Sequence, residues 1–319
     1  GDAAAPPRGA ALEDVRVYAS DQTHFSVARA LDILGFPTAT LRVLPSDDRY
    51  RLEAATVAAA VAEDRAAGLL PFAIAAVSGS TNTGSVDDVV GLAEIARRED
   101  LWLHVDAAYG GAARLSPRYA DLVPGLELAD SVTIDPHKWF FQAYDVGALV
   151  VRRREDLHRT FDRSPEYYRH PSPEEEPLHW YQYSMEGTRR FRALKLWMSW
   201  KQLGTVGLGR LVERNMELAV HLARRCREAG FEVAPAEPEL SVVCFRWVPP
   251  GMDDAAVDAL QDRLQRALER TGEGWVSTTS LRGRRYLRAG VVNYLSTPEH
   301  ADRVVAAIAR HAVEETARS

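Results

Sequence analysis

Lys138 stands four residues beyond the apolar run Ser131-Val132-Thr133-Ile134, directly after His137 and close to Asp135. A lysine at the edge of a buried strand, partly withdrawn from water, can act as an amine nucleophile and form a Schiff base with an aldehyde. Asp106 ends a second apolar run, Leu101 to Val105, and is followed by the small residues Ala107, Ala108, Gly110 and Gly111. Small residues there let a flat ligand lie against the backbone, and a carboxylate in the same pocket can hold a pyridine nitrogen protonated. A third segment, Ser78 to Ser85, is a hydroxyl- and glycine-rich turn that offers backbone and side-chain donors. Each feature alone has an ordinary explanation: a turn aspartate, a surface lysine, a polar loop. His104-x-Asp106 with Asp135-x-His137 also has the residue types of a metal site for a hydrolase, and that reading stays open on the residues alone.

These residues need strands to place them. Short apolar runs at Pro71 to Val77, Leu101 to Val105, Ser131 to Ile134 and Val146 to Val151 alternate with helical patterns at Ser26 to Leu34, Leu52 to Ala66 and Val86 to Glu99. Gly68 stops the second helix, and Asp87 and Asp88 suit the start of the third. Strands that are apolar throughout, separated by helices, predict an α/β fold whose mainly parallel sheet is covered on both faces. Ligands of such sheets bind beyond the carboxyl ends of the strands, where Asp106 and Lys138 fall. The segment from Asp162 to Trp180, with four prolines and Glu174-Glu175-Glu176, reads as a long functional loop. From about residue 204 the rhythm changes to a smaller α+β unit: a helix to Ala229, a strand over Ser241 to Val248, a helix over Asp253 to Arg270, strands near Trp275 and Tyr286, and a last helix from Pro298.

The bulk properties set limits. The 319 residues suffice for about two domains, here 1–203 and 204–319. Lys+Arg 39 against Asp+Glu 45 leaves a net charge of -6, which argues against a protein built to hold nucleic acid or anionic lipid. Cys226 and Cys244 make no metal spacing and read as core thiols of a reducing, cytoplasmic compartment. The longest strongly apolar run, Leu69 to Val77, is too short to span a bilayer, and no basic-then-apolar leader opens the chain.

An amine at Lys138, a carboxylate at Asp106 and a donor-rich turn together match what pyridoxal phosphate requires of a protein. The segments Ser20-Asp21-Gln22-Thr23-His24, His104-Val105-Asp106-Ala107-Ala108-Tyr109-Gly110 and Asp135-Pro136-His137-Lys138-Trp139 carry a closer likeness, as do Asp145-Val146-Gly147-Ala148-Leu149 and the stretch from Thr188 to Trp197. In this order they resemble the group II pyridoxal-phosphate-dependent amino acid decarboxylases, above all the aromatic-L-amino-acid decarboxylase branch. The resemblance runs from about Tyr18 to the last helix. It implies the fold type I, aspartate aminotransferase-like architecture: a large domain with a mainly parallel sheet, then a small α+β domain.

The resemblance also implies roles. Lys138 would be the Schiff-base lysine and Asp106 the partner of the pyridinium nitrogen. Ala108 would pack beneath the ring, and His24 would stack on its other face and help position the substrate carboxylate. Thr81 would hydrogen-bond in the cofactor pocket, with His137 and Asp135 near the phosphate; animal aromatic decarboxylases carry Asn where this chain has Asp135. Tyr167, in Ser164-Pro165-Glu166-Tyr167-Tyr168, matches the loop tyrosine that protonates the carbon left after CO2 departs, with Tyr168 one register step away. The implied enzyme is a carboxy-lyase converting an L-amino acid of the Trp, Tyr, Phe or Dopa type to the amine, working as a homodimer with its sites at the interface. Oxidative decarboxylation to an aldehyde, a metal-dependent hydrolase and a non-catalytic relative are the alternatives, and Lys138, Asp106 and Tyr167 favour simple decarboxylation. Family members extend further at the N-terminus, through a dimer-forming segment and a Ser/Gly-rich turn that grips the cofactor phosphate. The resemblance therefore implies that the large domain here lacks its N-terminal part, and that a chain beginning at Gly1 would bind cofactor poorly.

Overall fold

The computed structural model describes residues 11–163 and 178–317; Tyr167 and Tyr168 lie outside them. The first sheet has the order β2-β1-β3-β4-β5-β6, from β1 (Val15–Ser20), β2 (Leu41–Leu44), β3 (Leu70–Val77), β4 (Trp102–Asp106), β5 (Ser131–Ile134) and β6 (Ala148–Val151). All neighbours are parallel except β5 and β6. Among the segments between the strands lie α1 (Ser26–Ile33), α2 (Ala54–Ala66) and α3 (Val89–Glu99), while α4 (Arg154–Phe161) follows β6. The expected strands and helices are present, and β2 is a short edge strand that the apolar pattern did not reveal. β6 runs backwards because the segment between Ile134 and Ala148 holds no crossover helix, and a parallel return needs one.

One face of this sheet is closely packed: Ile74, Leu103 and Val105 meet Val57 and Val61 of α2 and Leu92 and Ile95 of α3. The other face departs from the expected full cover. It is flanked by α1 and α4, and an 800 Å³ cavity separates them from the strands. No residue of α1 is fully buried. The difference arises because alternate strand residues face opposite ways. The cavity-facing set, including Ala75, Trp102, His104 and Asp106, mixes small, aromatic and polar side chains that an unbroken apolar run does not call for.

A long helix, α5 (Ala193–Glu228), leads to the second sheet. Gly204 interrupts it at φ 66° and ψ 174°, a conformation glycine adopts without a Cβ penalty. The second sheet, β7-β8-β10-β9, is antiparallel: β7 (Glu232–Ala234), β8 (Val242–Arg246), β9 (Ser277–Leu281) and β10 (Arg284–Gly290). Its core joins Phe231, Phe245 and Leu287 to Leu222 of α5, Leu264 of α6 (Asp254–Thr271) and Ile308 of α7 (Pro298–Ala317). Asp253 caps α6 through the Ala256 N–H at 2.8 Å, and Asp88 caps α3 through the Gly91 N–H at 3.0 Å. Asp87 does not cap; its buried carboxylate accepts the N–H groups of Leu52 and Val77, each at 2.7 Å. Cys226 and Cys244 are buried free thiols. Among the described residues, no helix is long and apolar enough to cross a membrane.

The two sheets are fastened to each other. The Tyr109 hydroxyl accepts the Ser241 N–H at 2.7 Å and bonds the Ser241 hydroxyl at 2.5 Å. Thr279 donates to Asn82 Oδ1 at 2.7 Å, and Arg288 Nε donates to the Thr81 carbonyl at 2.7 Å. Trp139, fully buried between them, stacks on Tyr109 with centroids 4.8 Å apart and donates to Asn215 at 3.0 Å.

Candidate active site

Asp106 is the last residue of β4, and its placement follows from the turn after it. The Asp106 carbonyl accepts the Ser78 N–H at 2.8 Å, and its Oδ1 accepts the Ala108 N–H at 3.0 Å. The turn passes so close to the end of β3 that a Cβ on Gly110 would lie 2.1 Å from the Ser78 carbonyl oxygen. Only glycine permits that approach, and it leaves the Ala108 methyl lining the cavity beside Asp106.

Lys138 follows β5 in a turn tied at two points. The Asp135 N–H donates to the Ala108 carbonyl at 3.0 Å, and the Lys138 N–H donates to the Asp135 carbonyl at 2.8 Å. Lys138 Nζ then lies 3.0 Å from Asp135 Oδ2, a half-buried ion pair. His137 Nδ1 bonds the Val146 carbonyl at 2.5 Å, which leaves its Nε2 3.8 Å from the same Asp135 oxygen. His24, in the turn after β1, is held by Ser26 Oγ at 2.8 Å.

The fold brings His24, Asp106, Ala108, Asp135 and Lys138 to the 800 Å³ cavity on the open sheet face. A second cavity of 690 Å³, between the two sheets, is lined by Thr81 and His137 and again by His24 and Lys138. Lys138 and His24 are thus common to both. Every sequence-predicted site residue within the described range reaches one of these two spaces. Thr81 meets the site from the rim: its side chain is exposed, and its carbonyl receives Arg288. The metal reading finds no cluster, since among the described residues no three His, Cys, Asp or Glu side chains stand together as ligands. His104 and His137 are instead bonded to Ser131 and to the Val146 carbonyl.

The second sheet and the segments flanking it contribute residues that the sequence did not single out. Trp275, Arg288, Asn293 and Tyr294 line the 690 Å³ cavity together with Lys138, Phe141 and Tyr144. Arg288 is one of three arginines in β10, and nothing in its neighbours marks it apart from Arg284 and Arg285. The cavity thus has a cationic group, a ring of aromatic walls and an amine. The donor set fits pyridoxal phosphate: an amine for an aldehyde, a carboxylate for a ring nitrogen, and an imidazole and a methyl for ring faces.

Comparison with known proteins places the chain among similar sequences and folds. The model of the pyridoxal-dependent decarboxylase conserved domain matches residues 5–248. The chain is 34% identical over 290 residues to an aromatic-L-amino-acid decarboxylase of Bacillus atrophaeus, covering 90% of this chain and 60% of that protein. It is 32% identical over 295 residues to a phenylacetaldehyde synthase of Arabidopsis thaliana, covering 91% and 60%. A crystal structure of Oryza sativa TDC with PLP and tryptamine superposes with a TM-score of 0.90 at 31% identity, over 97% of this chain and 64% of that one. The chain therefore spans about three-fifths of the length of these relatives.

Proposed function

Because the chain belongs to the pyridoxal-dependent decarboxylase family, with the fold type I architecture, we propose that it decarboxylates an aromatic L-amino acid with pyridoxal phosphate. The observation that carries this reading is the convergence of Lys138, Asp106, Ala108 and His24 on one cavity. In it, Lys138 would hold the cofactor covalently through its aldehyde, and Asp106 would hold the ring nitrogen. Ala108 and His24 would flank the ring, and Thr81, His137 and Asp135 would complete the pocket.

Bound pyridoxal phosphate supplies an electron sink for the pair left at Cα when CO2 departs. The remaining work belongs to the chain. The Asp106 carboxylate opposes the positive charge of the ring nitrogen, an electrostatic stabilisation that is strongest away from water. His24 orients the substrate carboxylate from one face. Tyr167, read from sequence alone, delivers the proton to Cα. The aromatic side chains Phe141, Tyr144, Trp275 and Tyr294 around the 690 Å³ cavity support an aromatic substrate.

The same reading includes a division into a large domain, 1–203, and a small domain, 204–319, with Gly204 at the joint. It includes a cytoplasmic homodimer with shared sites. The exposed apolar side chains Phe191, Trp197 and Met198 near the start of α5 support self-association. Replacing Lys138 by Ala should abolish cofactor absorbance and release of CO2 from aromatic amino acids; full retained turnover would sink the proposal. The likeness to an aldehyde synthase makes oxidative decarboxylation the second reading. Formation of ammonia and peroxide in place of the amine would favour it.

A further inference from the structure

Trp102, His104 and Asp106 alternate along β4 and share one sheet face, where they line the 800 Å³ cavity with Ser131 and Thr133 of β5. Two hydrogen bonds there fix a direction. An indole nitrogen only donates, so Trp102 Nε1 gives its proton to Ser131 Oγ, 2.9 Å away. Ser131 is 7% exposed, and among the described residues its oxygen has one other side-chain partner, His104 Nδ1 at 2.9 Å. The buried hydroxyl hydrogen needs an acceptor, and Nδ1 is the one at hand. A neutral imidazole that accepts at Nδ1 carries its proton on Nε2, and burial holds the His104 pKa below the ordinary histidine value. Nε2 faces Thr133 Oγ1 at 3.4 Å, and Thr133 is the register partner of Asp106 across β4 and β5.

We propose that Trp102, Ser131, His104 and Thr133 form a one-way hydrogen-bond relay that presents the Thr133 hydroxyl to Asp106, making His104 a positioning residue for that carboxylate. Asp106 already accepts the Ala108 N–H. A Thr133 hydroxyl turned toward that carboxylate would give it a second donor, on the side of β5, for the task of facing a protonated ring nitrogen. The inference rests on the reading of Asp106 as the partner of that nitrogen, although the direction of the relay does not.

Histidine tautomers are directly measurable, so the first test uses cofactor-free protein labelled with 15N-histidine. Long-range 1H–15N spectra, with His104→Gln for assignment, should show His104 neutral at pH 7 with its proton on Nε2. Ser131→Ala should weaken that preference. A proton on Nδ1, or an imidazolium at pH 7, would overturn the relay. The second test titrates pyridoxal phosphate by fluorescence and absorbance. Thr133→Val and His104→Leu should each weaken binding about tenfold, the effect of one hydrogen bond to a charged group, and displace the absorbance band. His104→Gln, which retains a distal N–H, should recover most of the loss. Wild-type affinity and spectrum in both Thr133→Val and His104→Leu would refute the coupling to Asp106. If the unmutated protein takes up no cofactor, the functional reading fails and the tautomer alone decides the relay.

Discussion

Lys138 and Asp106 reach one cavity from neighbouring strands, and the two differ in what replaces them. On the proposed reading no other side chain at the Lys138 position could form the covalent link, so its loss would be complete. In that reading Asp106 would act through charge, so its effect would be graded. Asp106→Ala should lower CO2 release by about 10²–10³-fold, the scale for one preorganised electrostatic partner of a transition state, while leaving the melting temperature close to wild type. Steady-state assays with a thermal melt check both, and an unchanged kcat would remove Asp106 from the site. Asp135 needs a different treatment. Its carboxylate pairs with the Lys138 ammonium at 3.0 Å, which gives it a partner where a cofactor phosphate would repel it. Residue type announced Lys138 and Asp106; only the turn between β5 and β6 showed that Asp135 pairs with the lysine.

At the scale of elements, Asp87 joins three segments. It fastens the chain before α2 to the end of β3, from a position just ahead of α3, through two backbone N–H groups. Burial pushes its carboxyl up to about 7, against the opposing pull of those two donors. A folded-state value above the unfolded 3.8 means that the native protein holds more protons across that window. The contribution of Asp87 to stability is therefore fullest at acid pH and declines as pH rises toward 7. His104 has the opposite sign, because its depressed value removes stability as pH falls through the ordinary histidine range. Comparison with Asp87→Asn isolates the aspartate: the stability advantage of wild type over the variant should shrink between pH 5 and 8. Chemical denaturation across that range measures it, and a constant difference would refute it. The sequence placed Asp87 near a helix start, which is right in position. It did not show that Asp88 takes the cap and frees Asp87 to turn inward.

For the whole molecule, the interface between the sheets decides whether the site exists. Lys138 and His137 belong to the first unit, and Trp275, Arg288 and Tyr294 to the second. Tyr109 ties the units together, with its hydroxyl bonded to both the backbone and the side chain of Ser241. Burial raises the Tyr109 pKa well above the usual phenol value, so the hydroxyl stays neutral and can both accept and donate. Tyr109→Phe leaves the Ser241 N–H unpaired and should lower the unfolding free energy by about 1–3 kcal/mol. It should also weaken cofactor retention, because the 690 Å³ cavity needs both walls. Denaturant unfolding and cofactor dialysis measure the two effects. Wild-type values in both would mean that the sheets are held by other contacts, such as Arg288 on Thr81.

Much of this protein was written in local pattern. Apolar runs, helix signals and the residues just past each strand gave the α/β class, the α+β unit after residue 204 and the positions of Asp106 and Lys138, because strand tips and turn residues obey short-range rules. Resemblance added His24 and Ala108, which local rules would have passed over. Four matters were left to the tertiary structure: the reversal of β6, the open face of the first sheet, the contribution of Arg288 and Trp275, and the hydrogen-bond direction through Trp102, Ser131 and His104. Each depends on which residues from distant parts of the chain become neighbours. A strand records in its sequence that it will be buried, but the partner strand it lies beside, and the face it turns toward a cavity, are fixed only when the sheets close.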